Sequence, residues 1–167
     1  MKNLEQLTDY AIQVINETCG YPEFTKLERP LTINYRAKTR FGQCTTWSKS
    51  NRSKIEIASR ILDDSIPDEK TLSVIIHELL HAVKGGQDHT GIWKTYANMI
   101  NRKYPQYRIE RTLPSSYFGL ERDKSLQKYG IQCQTCHCIH YSSKLSKSIQ
   151  HPEMYQCRCG GKLIRIK

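Results

Sequence analysis

The sequence predicts an α+β fold: a small antiparallel sheet packed on helices, followed by a short module organised by cysteines. Three observations predict it. Apolar residues recur at helical spacing in three separate segments. Between the first two of these, three short runs rich in strand-forming residues are separated by polar, basic turns. Five of the seven cysteines then fall between positions 133 and 159.

The first helix is expected over residues 3–19, with Leu4, Leu7, Ala11, Val14 and Ile15 on one face. Thr32–Tyr35, Gln43–Trp47 and Lys54–Ile57 read as strands. Ser65-Ile66-Pro67-Asp68 then reads as a helix start, with Ser65 as N-cap and proline and acid in the first turn. The helix it opens, about 18 residues long, carries Leu72, Ile75, Ile76, Leu79, Leu80 and Val83 on its apolar side and stops at Gly85-Gly86. Ile92, Tyr96, Met99 and Ile100 mark a further helix from about 91 to 103, ended by Pro105. Arg108–Arg111 is a short strand or an extended segment. Residues 1–112 form the main domain in this reading, 113–129 a linker with Pro114, Ser115 and Ser116, and 130–167 the cysteine module. There is no internal repeat and no low-complexity tract.

The apolar helix contains His77-Glu78-Leu79-Leu80-His81, an H-E-x-x-H pattern. Positions i and i+4 of a helix lie on one face, so two imidazoles reach one metal ion while the glutamate lies near its open side. This is the donor set of a zinc hydrolase: two histidine ligands, one activated water and a carboxylate general base, Glu78. So short a pattern also arises in helices with two solvated histidines. The buried apolar face and the capping signals around it weigh against that reading. A catalytic zinc takes a third protein ligand and keeps one position open. His89, just beyond the double glycine, is the first candidate and Asp88 the weaker one. Trp93 is expected in the core. Tyr35, Tyr96 and Tyr117 are candidate oxyanion donors by residue type alone.

Cys133-Gln134-Thr135-Cys136 and Cys157-Arg158-Cys159 form two close pairs separated by a basic hairpin. Four thiolates close a tetrahedron, so Cys133, Cys136, Cys157 and Cys159 read as a structural zinc ribbon that folds through its metal. The second pair has a single spacer residue, which leaves Cys138, His137 and His140 as alternative ligands. A redox C-x-x-C would be expected beside a βαβ pattern, which is absent. Cys19 and Cys44 read as plain buried or strand thiols.

Glu5 and Asp9 interrupt the start of the chain, so no secretory leader is expected, and no apolar run reaches membrane-spanning length. The expected setting is therefore a reducing one: cytoplasmic, nucleoid-associated or the cytoplasm of a host cell, with the protein a monomer and without a membrane partner. The net charge is +10 and unevenly placed. Residues 1–120 carry 17 basic against 13 acidic side chains, and residues 121–167 carry nine against three. Arg36, Lys38, Arg40, Lys49, Arg52 and Lys54 lie in a stretch free of acids, and Lys144, Lys147 and Arg158 lie in the cysteine module. Such clusters are the footprint of a polyanion partner, most simply nucleic acid, although a solvated surface gives the same pattern. Trp47, Phe41 and Tyr141 lie among these charges and are of a type that stacks on bases, with Phe41 better read as core.

Taken together, the order of helix, three strands, H-E-x-x-H, third histidine and C-terminal ribbon resembles the SprT-like zinc metallopeptidases, which include the Spartan proteases. His77-Glu78-Leu79-Leu80-His81-Ala82, His89-Thr90-Gly91-Ile92-Trp93 and Cys157-Arg158-Cys159-Gly160-Gly161-Lys162-Leu163 carry the likeness. The family often has glycine directly after the third histidine, where this chain has Thr90. The resemblance implies a zincin-like fold and a DNA-associated protease that digests proteins bound or crosslinked to single-stranded or structured DNA. It implies one catalytic and one structural zinc. The rival readings are a non-enzymatic nucleic-acid-binding or transcription-associated protein, and a zinc hydrolase of another substrate class.

Overall fold

A computed structural model of the chain describes residues 1–120 and 127–167. It divides into two compact units, Met1–Leu120 and Glu121–Lys167. The elements of the first unit are α1 (Leu4–Cys19), β1 (Lys26–Leu27), β2 (Thr32–Asn34), β3 (Gly42–Trp47), β4 (Arg52–Ala58), α2 (Asp68–Ala82) and α3 (Gly91–Lys103).

α1 begins where Asn3 accepts hydrogen bonds from the N–H groups of Glu5 and Gln6, and it ends at Gly20 in the left-handed region. Its inner face, Leu4, Ala11, Val14 and Ile15, joins one apolar core with Ile55 and Ile57 of β4, Ile75, Ile76, Leu79 and Leu80 of α2, and Trp93 and Ile100 of α3. α2 is buried on more than one face. Leu72, Val74, Ile75, Ile76, Leu79 and Leu80 are all buried, and so is Glu78. An apolar helix with so little polar face has its place in the middle of a unit rather than on its rim.

α2 departs from expectation at its start. Ser65 is not its cap. The helix begins at Asp68, with Pro67 at the N-cap and no side-chain capping bond. Ser65 instead donates its N–H to Asp63 Oδ1 at 2.9 Å, a local turn that competes with helix entry. The other end is firmly tied. Thr25 donates both its N–H and its hydroxyl to Ala82 O, at 2.8 and 3.0 Å, which satisfies a carbonyl the helix terminus would leave open.

The sheet of this unit is mixed, where an antiparallel one is expected. β3 pairs antiparallel with β4, from Gly42↔Ile57 to Trp47↔Arg52. β1 and β2 both run parallel to β4, through Lys26↔Arg52 and Thr32↔Glu56. The reason is the route of the chain. β1 and β2 follow one another in the same direction along β4, and only β3 is joined to it by a tight turn, which alone enforces antiparallel pairing. β1, two residues long, carries too little pattern to be read from sequence.

The expected linker is also shorter than its sequence suggests. Residues 113–120 belong to the first unit. Ser115–Phe118 form a 3-10 turn, Phe118 is buried, and its ring lies 4.2 Å from that of Phe41. Pro114 and the serines mark this turn rather than a free connection. Positions 121–126 of the expected linker lie outside the described residues.

The second unit holds β5 (Tyr129–Cys133), β6 (Ile139–Ser142), α4 (Lys147–Gln150) and β7 (Leu163–Arg165). Its sheet is antiparallel throughout, in the order β6-β5-β7. Among the described residues, no helix is long and apolar enough to cross a membrane.

The burial of α2 makes a direct prediction. Leu79 is fully buried, so Leu79→Ala lowers the unfolding free energy by about 2–5 kcal/mol, read as a shift in the midpoint of denaturant unfolding.

Candidate metal centre and cleft

The imidazoles of His77 and His81 leave α2 one turn apart, and His89 is brought to them by the loop that follows the helix. That loop needs glycine. A Cβ on Gly86 would lie 2.1 Å from Leu80 O, so no larger residue can make the turn. The result is a meeting of three ring nitrogens. His89 Nε2 lies 3.0 Å from His77 Nε2 and 3.1 Å from His81 Nε2.

The opposite ring nitrogens show what holds them there. His77 Nδ1 is 2.9 Å from Glu110 O, and His81 Nδ1 is 2.9 Å from Gly86 O. A carbonyl can only accept, so both Nδ1 atoms carry the proton and both Nε2 atoms present lone pairs. Burial, together with the neighbouring His81 and His89, pushes His77 down to about 3, and burial likewise lowers His81 and His89. His89 can offer at most one Nε2–H to the two lone pairs it faces, so the three rings cannot all satisfy each other by hydrogen bonds. Their donor set suits a cation, and the group can hold a metal ion. Asp88 is not among the three.

Trp93 closes the back of the site. It is core, as expected, but its ring also lies 4.7–5.7 Å from all three imidazoles, and its Nε1 donates to His77 O at 3.3 Å. It therefore sets the orientation of the rings as well as filling volume.

Glu78 projects to the other side, against β3, and is only 7 % exposed. Burial raises its pKa to about 7, opposed by the N–H of Cys44, which donates to the carboxylate, and by the charge of Arg40. A carboxyl held near neutrality is suited to taking up and releasing a proton. Gly42 makes this placement possible. A Cβ there would stand 2.6 Å from both Cγ and Oε1 of Glu78.

Histidines and glutamate border a cleft of about 640 Å³. One wall is β3 and the residues before it, including Arg40, Phe41 and Gln43. The other is the segment from Glu110 to Leu113 with Phe118. Three residues of this site carry no sequence signal on their own: Gly42, Arg111, and Glu110, which acts through its carbonyl. Arg40 is placed at the cleft as well as in the basic cluster. Tyr35, Tyr96 and Tyr117 are not among the residues that line it.

The basic cluster of the first unit is partly neutralised. Arg52 pairs with Glu28, and Lys54 with Glu56 at 3.0 Å, while Arg40 lies 4.0 Å from the same glutamate. Arg36, Lys38 and Lys49 are exposed, as are Lys144, Lys147 and Arg158 in the second unit. The Trp47 ring, 44 % exposed, lies under the Arg52 guanidinium at 5.9 Å.

In the second unit the sulfurs of Cys133, Cys136, Cys157 and Cys159 lie within 4.8 Å of one another and can hold a metal ion. The N–H groups of Thr135 and Cys136 point at Cys133 Sγ, at 3.4 and 3.5 Å. The Cys159 N–H, with the thiols of Cys138 and Cys136, holds Cys157 down to about 6. His137 and His140 are exposed and stand outside the cluster. Cys19 and Cys44 are half-buried thiols, both raised to about 11 by burial.

Residues 5–113, which include the three histidines, Glu78 and the walls of the cleft apart from Phe118, match the model of the SprT-like family. The chain belongs to the SprT-like family. Its C-terminal cysteine cluster is consistent with the zinc ribbon expected beside such a domain. The chain is also similar to the germ cell nuclear acidic protein of Drosophila melanogaster, with 23 % identity over 163 residues. That match covers 94 % of this chain and 15 % of the relative, so the chain spans about one seventh of the relative's length.

The contact between β3 and Glu78 is testable in this SprT-like unit without any activity measurement. Gly42→Ala lowers stability by about 1–3 kcal/mol through overpacking. In a Glu78→Ala background the same change costs nothing measurable, because the atoms it would strike are gone. Equal costs in the two backgrounds, read by denaturant unfolding as a double-mutant cycle, would show that the contact does not exist.

Proposed function

We propose that this protein is a zinc-dependent endopeptidase acting on proteins bound or crosslinked to DNA. The observation that carries the reading is the meeting of three imidazole Nε2 atoms beside a buried glutamate in an open cleft. The SprT-like family is usually a metalloprotease family, and three protein nitrogens leave one position of a tetrahedral zinc open, as catalysis requires.

His77, His81 and His89 hold the zinc through Nε2, their tautomers fixed on two of them by Glu110 O and Gly86 O. When bound, zinc supplies a Lewis acid that polarises a carbonyl and acidifies water. Glu78 takes a proton from the attacking water on a carboxylate oxygen and returns it to the leaving amine. The Cys44 N–H keeps that carboxylate from turning away. Among the described residues β3 is paired on one side only, by β4. Its free edge runs along the cleft, which supports docking of an extended substrate strand by main-chain hydrogen bonds. Phe41 and Phe118 supply an apolar wall for one substrate side chain, and Arg40 and Arg111 supply positive charge at the rim.

The DNA part of the reading is supported by the net charge of +10 and by the exposed cations Arg36, Lys49, Lys144, Lys147 and Arg158. Cations so placed attract the phosphate backbone and bring a DNA-linked protein to the cleft.

The decisive experiment compares cleavage of a protein crosslinked to single-stranded DNA with cleavage of the same protein free. Wild type cuts the linked form faster. Glu78→Gln keeps its zinc and loses about 10²–10⁴-fold in rate. No cleavage of any substrate, including unfolded proteins, by a zinc-loaded wild type that binds DNA tightly would replace the protease with a non-enzymatic DNA-binding protein. A second prediction concerns metal content. Wild type binds two zinc ions per chain, His81→Ala binds one, and the Cys133→Ser/Cys157→Ser double variant also binds one, each measured by elemental analysis after removal of loosely held metal.

A further inference from the structure

Cys138 stands outside the four-cysteine group, yet its sulfur touches two members of it. Cys138 Sγ lies 3.3 Å from Cys136 Sγ and 3.4 Å from Cys157 Sγ. Within the group, Cys133–Cys159 and Cys136–Cys157 are 3.5 and 3.6 Å apart. A metal–sulfur bond of about 2.3 Å places tetrahedral sulfurs about 3.8 Å apart. Cys138 thus meets two of the four grouped sulfurs at separations like those within the group, while the four that all lie within 4.8 Å of one another are Cys133, Cys136, Cys157 and Cys159.

The backbone holds it there. His137 lies in the left-handed region at φ 56° and donates its N–H to Cys133 O at 3.1 Å. Cys133 in turn donates its N–H to Cys138 O at 3.0 Å. This closed turn ties Cys138 to the same knuckle that presents Cys133 and Cys136. The five thiols then differ in kind. Cys133 is buried and receives two N–H groups, which makes it a fixed corner. Cys136 and Cys157 touch each other and Cys138. Cys136, Cys138 and Cys159 are all exposed, and of these Cys138 and Cys159 stand on different knuckles at the rim.

We propose that Cys138 is a fifth ligand of the C-terminal metal site, exchanging with Cys159 for the fourth corner while Cys133, Cys136 and Cys157 stay bound. The inference rests on the reading that these thiols hold a metal ion. The exchange is balanced. The incoming Cys138 thiol gives its proton to water, the departing Cys159 thiolate takes one up, four sulfurs remain on the metal and no electron moves. The site changes a ligand without releasing its ion, and one thiol is always free at the rim. The single-residue spacer of Cys157-Arg158-Cys159 fits this arrangement, since a second candidate for the fourth corner stands on the other knuckle.

The test uses the full chain in two measurements. Cobalt(II) replaces zinc, and the thiolate-to-metal absorption reports how many sulfurs bind. Cys138→Ser and Cys159→Ser each keep the four-thiolate spectrum of the wild type, and the double variant loses it. In the zinc-loaded wild type, brief treatment with iodoacetamide followed by peptide mass mapping finds label on both Cys138 and Cys159, with Cys133, Cys136 and Cys157 protected. A three-thiolate spectrum in folded Cys159→Ser overturns the exchange, and so does label confined to one of the two rim cysteines. The labelling result decides the matter if a variant fails to fold. A wild type without any four-thiolate spectrum overturns the metal reading itself, and the exchange with it.

Discussion

The site depends on the burial of α2. Because Leu72, Ile75, Ile76, Leu79 and Leu80 are locked into the core, the helix can neither roll nor slide. A rotation of one residue would turn His77 and His81 by about 100° and separate them from His89. Thr25, bonded twice to Ala82 O, fixes the C-terminal end from which the loop to His89 departs. The geometry at the three imidazoles is thus set by packing many ångströms of chain away from them, in side chains that take no part in chemistry.

That packing also creates an electrostatic problem within the unit. Two imidazoles present lone pairs to a third, and a carboxyl is buried a single residue from one of them. Each arrangement costs free energy in the absence of a cation. A bound metal removes the first cost, so binding and stability of this unit are coupled. The second is eased by the Cys44 N–H and by the nearby Arg40. Strain of this kind, concentrated at one point of an otherwise well-packed core, is what distinguishes a site from a structural helix that happens to carry histidines.

The second unit solves a different problem with the same type of ligand chemistry. Few of its residues are buried: Ile131, Cys133 and Ile149 are the apolar ones among those described. So small a core cannot fold a segment of this length unaided. Sulfurs gathered on two knuckles can hold a metal ion, whose coordination would stand in for apolar burial. Four of them lie within reach of one ion, and Cys138 touches two of the four.

By itself the sequence determined the local elements and the identity of the donors. Helical periodicity located α1 and α3 nearly to the residue, and i, i+4 spacing put His77 and His81 on one side of α2. Cysteine spacing marked the four sulfur donors that the second unit gathers. These are properties of neighbours along the chain, which periodicity and spacing report directly. Tertiary structure alone decided the rest. The parallel pairing of β1 and β2 with β4 depends on the route of the chain in space. Residues 113–120, polar and proline-containing, pack on the first unit because Phe118 finds Phe41 across the cleft. Glu110 contributes a carbonyl, Gly42 an absent side chain and Cys138 a proximity. None of these three contributions is encoded in a residue type, because each exists only once distant segments have been brought together.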